Sequence, residues 1–242
     1  MSATRIHERP SPNFGPRPPG TAIDMLILHY TGMETAEAAL SRMCDPAVKV
    51  SAHYAIDEDG TVSRLVADEM RAWHAGESSW RGATDINDRS IGIELVNPGH
   101  AFGYRRFPKP QMIVLTELAA ELLDRHGIPP GNVVGHSDVA PERKMDPGEL
   151  FDWQRLAAAG IGLWPDPPGV AASPEAGPKA EDSALAVLAD IGYALGDPGD
   201  PGDPATRAAI AAFQRHYRPG CIDGRLDGET TALIAAVGAK TS

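Results

Sequence analysis

Apolar and polar positions follow two different patterns along the chain. In residues 23–164, short apolar runs typical of strands alternate with segments of helical period, and these runs are IDMLILHY, HYAID, TVSRLV, IGIELV and VVGHS. Two segments between them have the helical period: TAEAALSRM and a longer one from about Pro110 to His126. This order predicts an α/β domain in which a mixed central sheet is flanked by helices.

Two of the apolar runs are joined by a turn signal. HYAID and TVSRLV flank Glu58, Asp59 and Gly60. An Asp-Gly pair between two alternating runs is a strong signal for a β-hairpin. We therefore expect at least part of the sheet to be antiparallel.

The pattern changes after residue 164. Residues 165–180 are rich in Pro, Gly and Ala and show no apolar period, which predicts an extended linker. Residues 181–242 contain three helical segments typical of a small three-helix domain: Asp182–Ala194, Pro204–Tyr217 and Gly228–Val237. We expect this domain and the domain at 23–164 to have separate cores, with residues 1–22 as an N-terminal extension.

The charge balance argues against a nucleic-acid-binding protein. The 242 residues include 22 Lys and Arg against 33 Asp and Glu, a formal net charge of −11, whereas proteins that follow a phosphate backbone are basic. The two cysteines, Cys44 and Cys221, lie far apart and outside any CxxC motif. A disulfide framework or a cysteine zinc site is therefore not expected. The sequence leaves the oligomeric state open.

The N-terminal residues bear on the compartment. The first 20 residues contain charges and five prolines where a signal peptide has an apolar core, and they include no lipid-attachment cysteine. The longest apolar run, Ala22–Tyr30, is interrupted by Asp24 and is far shorter than the roughly 20 residues of a membrane span. These features predict a cytoplasmic protein without a membrane span. The periplasm or cell envelope is the alternative.

Three residues form a candidate metal site. His29 ends the apolar run MLILH, His136 ends NVVGH, and Asp146 lies in a loop that contains Pro and Gly. Functional groups of α/β proteins often stand at the carboxyl ends of strands, and two imidazoles with one carboxylate form a three-ligand set of the kind found in catalytic zinc sites. The spacing alone leaves a second interpretation open, in which the histidines are hydrogen-bonded packing residues and the aspartate forms a turn.

Several segments together resemble a known family. They occur in the order LILHYTGM, VSAHYAIDEDGTVSRLV, RAWHAGESSWRG, NDRSIGIELVNPG, FPKPQ and VVGHSDVAPERKMDPGELFDW. This series resembles the zinc-dependent N-acetylmuramoyl-L-alanine amidases, in particular their bacterial muropeptide and wall-recycling branch, which is related to phage amidases and peptidoglycan recognition proteins. The segments PATRAAIAAFQRHY and IDGRLDGETTALI resemble a peptidoglycan-binding module.

The resemblance implies a reaction and the roles of five residues. The reaction is hydrolysis of the amide between the lactyl group of N-acetylmuramic acid, including its 1,6-anhydro form, and L-alanine of the stem peptide. By position, His29, His136 and Asp146 match the family's ligands for one zinc ion per chain. Glu94 matches its general base, and Lys144 matches the cation beside the oxyanion. Peptidoglycan or a muropeptide is the partner that this resemblance implies.

Five further residues are candidate substrate contacts. Trp73 and His74 resemble the wall of the family's substrate cleft, although Trp73 fits a place in the core equally well. Arg143 stands next to the candidate cation. His53 lies on a hairpin strand and Asn97 follows the strand of the candidate base, so both are predicted to line the groove.

Two other functions remain open at this point. Some proteins with this fold bind peptidoglycan without cutting it, although such relatives typically lose at least one zinc ligand. A different zinc hydrolase could cut within the stem peptide, but the helical HExxH signature of many zinc peptidases is absent from the sequence. We expect an amidase.

Overall fold

The structure is a computed structural model that describes residues 6–166, 177–197 and 202–241. Its strands are β1 (Ile6–Glu8), β2 (Phe14–Pro16), β3 (Met25–Tyr30), β4 (Tyr54–Ile56), β5 (Val62–Arg64), β6 (Met70–Ala72), β7 (Ser79–Trp80), β8 (Ala83–Thr84), β9 (Ser90–Leu95) and β10 (Val133–Gly135). Six of them form the central sheet in the order β1-β5-β4-β9-β3-β10, while β2 pairs with β6 and β7 with β8.

The helices cover this sheet and form the C-terminal part of the protein. They are α1 (Ala36–Cys44), α2 (Gly99–Phe102), α3 (Lys109–His126), α4 (His136–Val139), α5 (Trp153–Ala158), α6 (Pro178–Ile191), α7 (Pro204–Tyr217) and α8 (Gly228–Thr241). The predicted α/β class and the three C-terminal helices are confirmed. Most of the predicted linker, residues 167–176, lies outside the described residues. In the described ranges, no helix combines the length and apolar composition needed to cross a membrane.

The sheet is mixed, as predicted. The Asp-Gly turn joins β4 to β5, which pair in antiparallel fashion. In contrast, β9 pairs in parallel with both β3 and β4, and β10 pairs in parallel with β3. Because β9, β3 and β10 run in the same direction, their carboxyl ends meet at one edge of the sheet.

Strand β3 is buried on both of its faces. Leu26 and Leu28 pack into the same cluster as the apolar side of α3. Met25 and Ile27 point to the opposite face because successive side chains of a strand alternate, and they belong to a second cluster. This two-sided burial explains why the run MLILH is continuously apolar.

The second cluster joins the two halves of the protein. It contains Met25, Ile27 and Val134 from the sheet together with buried side chains of α6, α7 and α8, among them Leu188 and Phe213. The expectation of separate cores is therefore wrong. The C-terminal helices bury the face of the sheet that α3 leaves uncovered, and the sequence pattern of each half gave no sign of this contact.

The N-terminal residues from Ile6 onward are integrated into the fold. β1 adds an edge strand in parallel with β5, and β2 pairs with β6. The guanidinium group of Arg17 donates hydrogen bonds to the backbone carbonyls of Asp68, Asn87, Asp88 and Ser90. These bonds tie the segment to the start of β9, so it supports the strand that carries Glu94.

Candidate active site

The register of the sheet brings three predicted site residues together. His29 on β3 is the direct partner of Glu94 on β9. Gly135, the last residue of β10, is the partner of Leu28, so His136 follows at the same edge. All three therefore stand at the carboxyl ends of neighbouring parallel strands, where α/β proteins place their ligands.

Asp146 reaches the same point through a short loop after α4. The backbone N–H of Ser137 donates to the carbonyl oxygen of Asp146 at 2.9 Å, which ties the loop to the residue after His136. Gly135 and Pro147 are also in close contact, because a Cβ at position 135 would lie 2.6 Å from Pro147 Cδ. Close packing thus positions both His136 and Asp146.

Three potential ligand atoms meet at the edge of the sheet. The Nδ1 atoms of His29 and His136 are 3.0 Å apart, and each lies 3.0 Å from Oδ2 of Asp146. All three side chains are buried. Among the described residues, this is the group of histidines and acids whose geometry suits a metal ion.

The hydrogen-bond partner of His136 fixes the hydrogen on its ring. Nε2 lies 3.0 Å from the backbone carbonyl oxygen of Ala75, and a carbonyl can only accept. Nε2 must therefore carry the hydrogen, which leaves a lone pair on Nδ1 of the neutral ring. That lone pair points toward Asp146.

A longer relay fixes the hydrogen on His29. Ser90 donates its hydroxyl hydrogen to the carbonyl of Ile86 at 2.7 Å, so its Oγ accepts from Nε2 of His74 at 3.2 Å. Neutral His74 then has a lone pair on Nδ1, which accepts from Nε2 of His29 at 3.0 Å. Nδ1 of His29 consequently carries a lone pair as well, and partners of this kind orient the ligands in metal sites.

The electrostatics of the three groups agree with this arrangement. Burial and the neighbouring His136 lower the pKa of His29 to about 4, which keeps the ring neutral. Burial by itself would raise the pKa of Asp146, but a proton on the facing imidazoles lowers it well below its usual value, so positive charge at this point stabilises the carboxylate. Two imidazole nitrogens and one carboxylate oxygen converge, so the donor set suits a divalent cation such as zinc.

Glu94 stands beside this group with one oxygen free to act. Its Oε2 is completely buried and makes no hydrogen bond to the described residues. Burial raises the pKa of Glu94 well above its usual value, and the charge of Asp146 raises it further. The positive charge of Lys144 lies close enough to lower the pKa of both Glu94 and His29. The site therefore contains a carboxylate that takes up a proton readily, with a cation nearby.

Comparison with known proteins agrees with this geometry. A family model described as N-acetylmuramoyl-L-alanine amidase matches residues 19–149, and a model for a peptidoglycan-binding domain matches residues 186–234. The chain belongs to the N-acetylmuramoyl-L-alanine amidase family. AmiD of Escherichia coli (strain K12), an N-acetylmuramoyl-L-alanine amidase, is 39% identical to it over 231 residues, which cover 89% of this chain and 82% of AmiD.

Solved structures of amidases are similar over nearly the whole chain. The complex of E. coli AmiD with the substrate anhydro-N-acetylmuramic acid-L-Ala-D-gamma-Glu-L-Lys has a TM-score of 0.81 at 37% identity, covering 93% of this chain and 92% of AmiD. AmpDh3 of Pseudomonas aeruginosa in complex with anhydromuramic pentapeptide has a TM-score of 0.75 at 34% identity, and the match covers 96% of this chain and 95% of AmpDh3. Both domains of this amidase therefore have counterparts in single solved chains.

Two of the predicted substrate contacts, His74 and Arg143, lie close to the candidate site. Trp73 is half-buried, and its indole Nε1 lies near Gly15 of β2. His74 is buried behind His29, where it orients a candidate ligand. The prediction that His74 forms part of the cleft wall is therefore wrong. Arg143 is exposed, and its Nη2 donates to the carbonyl oxygens of Ala75 and Glu77. Arg143 thereby fixes the loop that contains Ala75, and the carbonyl of Ala75 also accepts the hydrogen bond from His136.

The predictions that His53 and Asn97 line the groove are wrong. His53 is fully buried; its Nδ1 accepts from the backbone N–H of Gly92, and its Nε2 lies 3.0 Å from the carbonyl of Met70. Asn97 is also fully buried, and its amide group bonds to the backbone of Arg105 and Gly99. Both side chains hold backbone segments in place, which their position next to functional strands could not reveal.

Sequence reasoning also missed residues that support the site. Ser90 ends the relay behind His29, and Oδ1 of Asn87 accepts from the backbone N–H groups of His74 and Ala75. The alternation in SIGIEL contains a signal for Ser90, because it places Ser90 on the same face of β9 as Glu94. The residue between them must be small, since a Cβ at Gly92 would lie 2.5 Å from Cγ of His74.

Proposed function

We propose that this amidase hydrolyses the amide between the lactyl group of N-acetylmuramic acid and L-alanine of the stem peptide, with one zinc ion held by His29, His136 and Asp146. The observation that carries the proposal is the meeting of two Nδ1 lone pairs and one carboxylate oxygen within 3.0 Å of each other. Three protein ligands leave a fourth position for water or substrate, as in catalytic zinc sites.

The proposed reaction requires a Lewis acid and a group that accepts and returns a proton. A zinc ion held by His29, His136 and Asp146 would supply Lewis-acid chemistry: it would polarise the scissile carbonyl and lower the pKa of a water molecule to about 7. Glu94 takes the proton from the attacking water at its buried Oε2 and passes it to the nitrogen of the leaving amine. The raised pKa of Glu94 supports this role because the carboxylate then competes well for the proton.

Lys144 and Trp73 contribute charge and shape. The ammonium group of Lys144 stabilises the negative charge that develops on the carbonyl oxygen of the substrate. Its electrostatic effect on both His29 and Glu94 supports this placement. Trp73, a residue that is only half-buried, offers an aromatic ring on which a sugar or peptide can lie.

We further propose that the enzyme accepts 1,6-anhydro muropeptides. Support comes from the two similar amidases solved with anhydromuramic peptides, each of which matches more than nine-tenths of this chain. A binding-only role is disfavoured, because residues that suit catalysis occupy the three ligand positions and the position of the general base, Glu94. The cytoplasmic location stays a prediction, which fractionation beside a periplasmic marker protein tests.

Product analysis tests the proposed reaction. Purified anhydro-N-acetylmuramoyl tripeptide and intact sacculi are incubated with the enzyme, and the products are identified by mass spectrometry. We expect free tripeptide with an L-alanine amino terminus from the muropeptide, and no product from the His29→Ala variant. Cleavage within the stem peptide, or activity of the wild-type enzyme after its zinc content falls to zero in elemental analysis, would contradict the proposal.

A further inference from the structure

A second buried aspartate lies two residues after His136. Asp138 is in α4, and its side chain is almost completely buried. Its carboxylate accepts three hydrogen bonds, of which one comes from the backbone N–H of Gly135 at 2.7 Å. The other two donors belong to the C-terminal helical domain, more than 50 residues away in the sequence.

The two distant donors are held in place by packing. The hydroxyl group of Tyr193 donates to Oδ1 of Asp138 at 2.7 Å, and Nδ1 of His216 donates to Oδ2 at 2.8 Å. The ring of His216 stacks between those of Trp153 and Tyr217, with centroid distances of 3.8 and 4.0 Å. Nε2 of His216 is buried without a hydrogen-bond partner in the described part of the chain, so the ring contributes one bond, and that bond goes to Asp138.

Asp138 connects these donors to the zinc ligands. Oδ2 accepts from both His216 and Gly135, the residue directly before His136. The backbone there has little freedom, because Gly135 packs against Pro147 and the N–H of Ser137 binds the carbonyl of Asp146. A shift of Asp138 would therefore displace the segment that carries two of the three candidate ligands.

We propose that Tyr193 and His216 are positioning residues of the zinc site, which act through Asp138 on His136. A buried carboxylate is stable only while its oxygens are hydrogen-bonded, and two of the three donors come from the C-terminal domain. That domain therefore completes the support of the catalytic site, in addition to any contact it makes with substrate. The inference rests on the proposed function in one respect, since it assumes that the site binds zinc.

The main test removes one donor and keeps the ring packing. His216→Phe retains an aromatic ring between Trp153 and Tyr217 but cannot donate to Asp138, whereas His216→Asn restores a donor close to the position of Nδ1. The dissociation constant for zinc is measured on the full chain by competition with a chelator, well below the melting temperature. We expect His216→Phe to weaken zinc binding by about 10–100-fold, as loss of partners behind metal ligands does, and His216→Asn to recover most of it.

A second variant and a control separate positioning from simple stability. Tyr193→Phe deletes one hydroxyl group and should also weaken zinc binding. The control is Arg81→Met, which removes a hydrogen bond from Arg81 Nε to the carbonyl of Ile191. This bond also joins the two domains but does not involve Asp138, so the variant should bind zinc like the wild type.

The outcomes distinguish this inference from the proposed function. If the wild-type enzyme binds zinc and both His216→Phe and Tyr193→Phe bind it equally well while melting at lower temperature, the two residues are merely structural and the inference is overturned. Equal weakening in the Arg81→Met control would overturn it as well, because any loosened domain contact would then suffice. If the wild-type enzyme binds no zinc, the proposed function itself fails.

Discussion

Asp138 and Asp146 are both buried, both lie next to histidines, and are eight positions apart in the chain, yet their surroundings differ in one respect. Three hydrogen-bond donors meet the carboxylate of Asp138. The carboxylate of Asp146 instead meets two imidazole nitrogens whose hydrogens are committed elsewhere, to Ala75 and, through His74, to Ser90. The first cluster is complete with protein atoms alone, whereas the second directs its ligand atoms at one point, as the proposed zinc site requires.

This difference shows how a metal site can be distinguished from a hydrogen-bonded cluster of histidines and acids. In both clusters an imidazole nitrogen lies 2.8–3.0 Å from a buried carboxylate oxygen, so a His–Asp contact by itself does not identify the metal site. The deciding feature is the location of the ring hydrogens, which follows from the partners on the outer side of each ring. The predictions below alter these two clusters, the candidate base beside one of them, or a third buried aspartate that serves as comparison.

Removal of the C-terminal domain is expected to have the largest effect. A chain that ends at residue 165 would expose Met25, Ile27, Val134 and Val139, which now pack in the shared core, and would leave Asp138 with a single donor. Burial of one such aliphatic side chain contributes about 1.5–3 kcal/mol, so the loss is comparable with the whole stability of a domain, about 5–15 kcal/mol. Circular dichroism and gel filtration should show an unfolded or aggregated fragment; a monomer that melts cooperatively would contradict this.

Loss of one ligand should abolish the chemistry and leave the fold intact. We expect His136→Ala to lose its zinc, with activity reduced by roughly 10³-fold or more, since the metal supplies several kcal/mol of transition-state stabilisation. Elemental analysis and a muropeptide cleavage assay measure both effects. The matched control is His126→Ala, because His126 also binds an aspartate, Asp68, outside the candidate zinc site. Stoichiometric zinc in His136→Ala would disprove the ligand assignment.

Glu94→Gln separates proton transfer from metal binding. The substitution keeps the size of the side chain but removes its ability to take up the proton of the attacking water. We expect zinc content and KM to stay near the wild-type values while kcat falls by on the order of 10²–10⁴. A variant with normal kcat and raised KM would instead make Glu94 a substrate-binding residue.

The sequence predicted more of the strands and ligands than of the contacts between distant segments. The run MLILH and the Asp-Gly turn are local patterns, and both β3 and the hairpin could be predicted from them. The resemblance pointed to the three candidate ligands that the structure brings together. His53 was misjudged because burial of a polar side chain depends on packing, which adjacency in sequence does not record. The bond between His216 and Asp138 joins residues 78 positions apart, and no local pattern signals it.

A substitution of Asp68 is expected to have the smallest effect, and its surroundings form a third cluster that can be compared with those of Asp138 and Asp146. Its carboxylate accepts from the hydroxyl of Tyr54 at 2.7 Å, from Nη1 of Arg125 at 2.8 Å and from Nε2 of His126 at 3.0 Å. It is therefore surrounded by donors, like Asp138. We expect Asp68→Asn to keep zinc and activity and to lower the free energy of unfolding by about 1–3 kcal/mol at neutral pH, because a buried hydrogen-bonded charge is lost. Urea denaturation measures this difference.

The pH dependence of that difference identifies the charge as its source. Burial by itself raises the pKa of Asp68, but hydrogen bonds from Tyr54, His126 and Arg125 outweigh it, so the folded-state pKa lies below the usual value. In the unfolded chain the pKa is about 3.9. The contribution of Asp68 is thus fully present above about pH 4 and declines as the pH falls toward the folded-state pKa. The stability gap between wild type and Asp68→Asn should therefore narrow below about pH 4, whereas a gap that stayed constant would mean that shape, and not charge, makes this cluster stable.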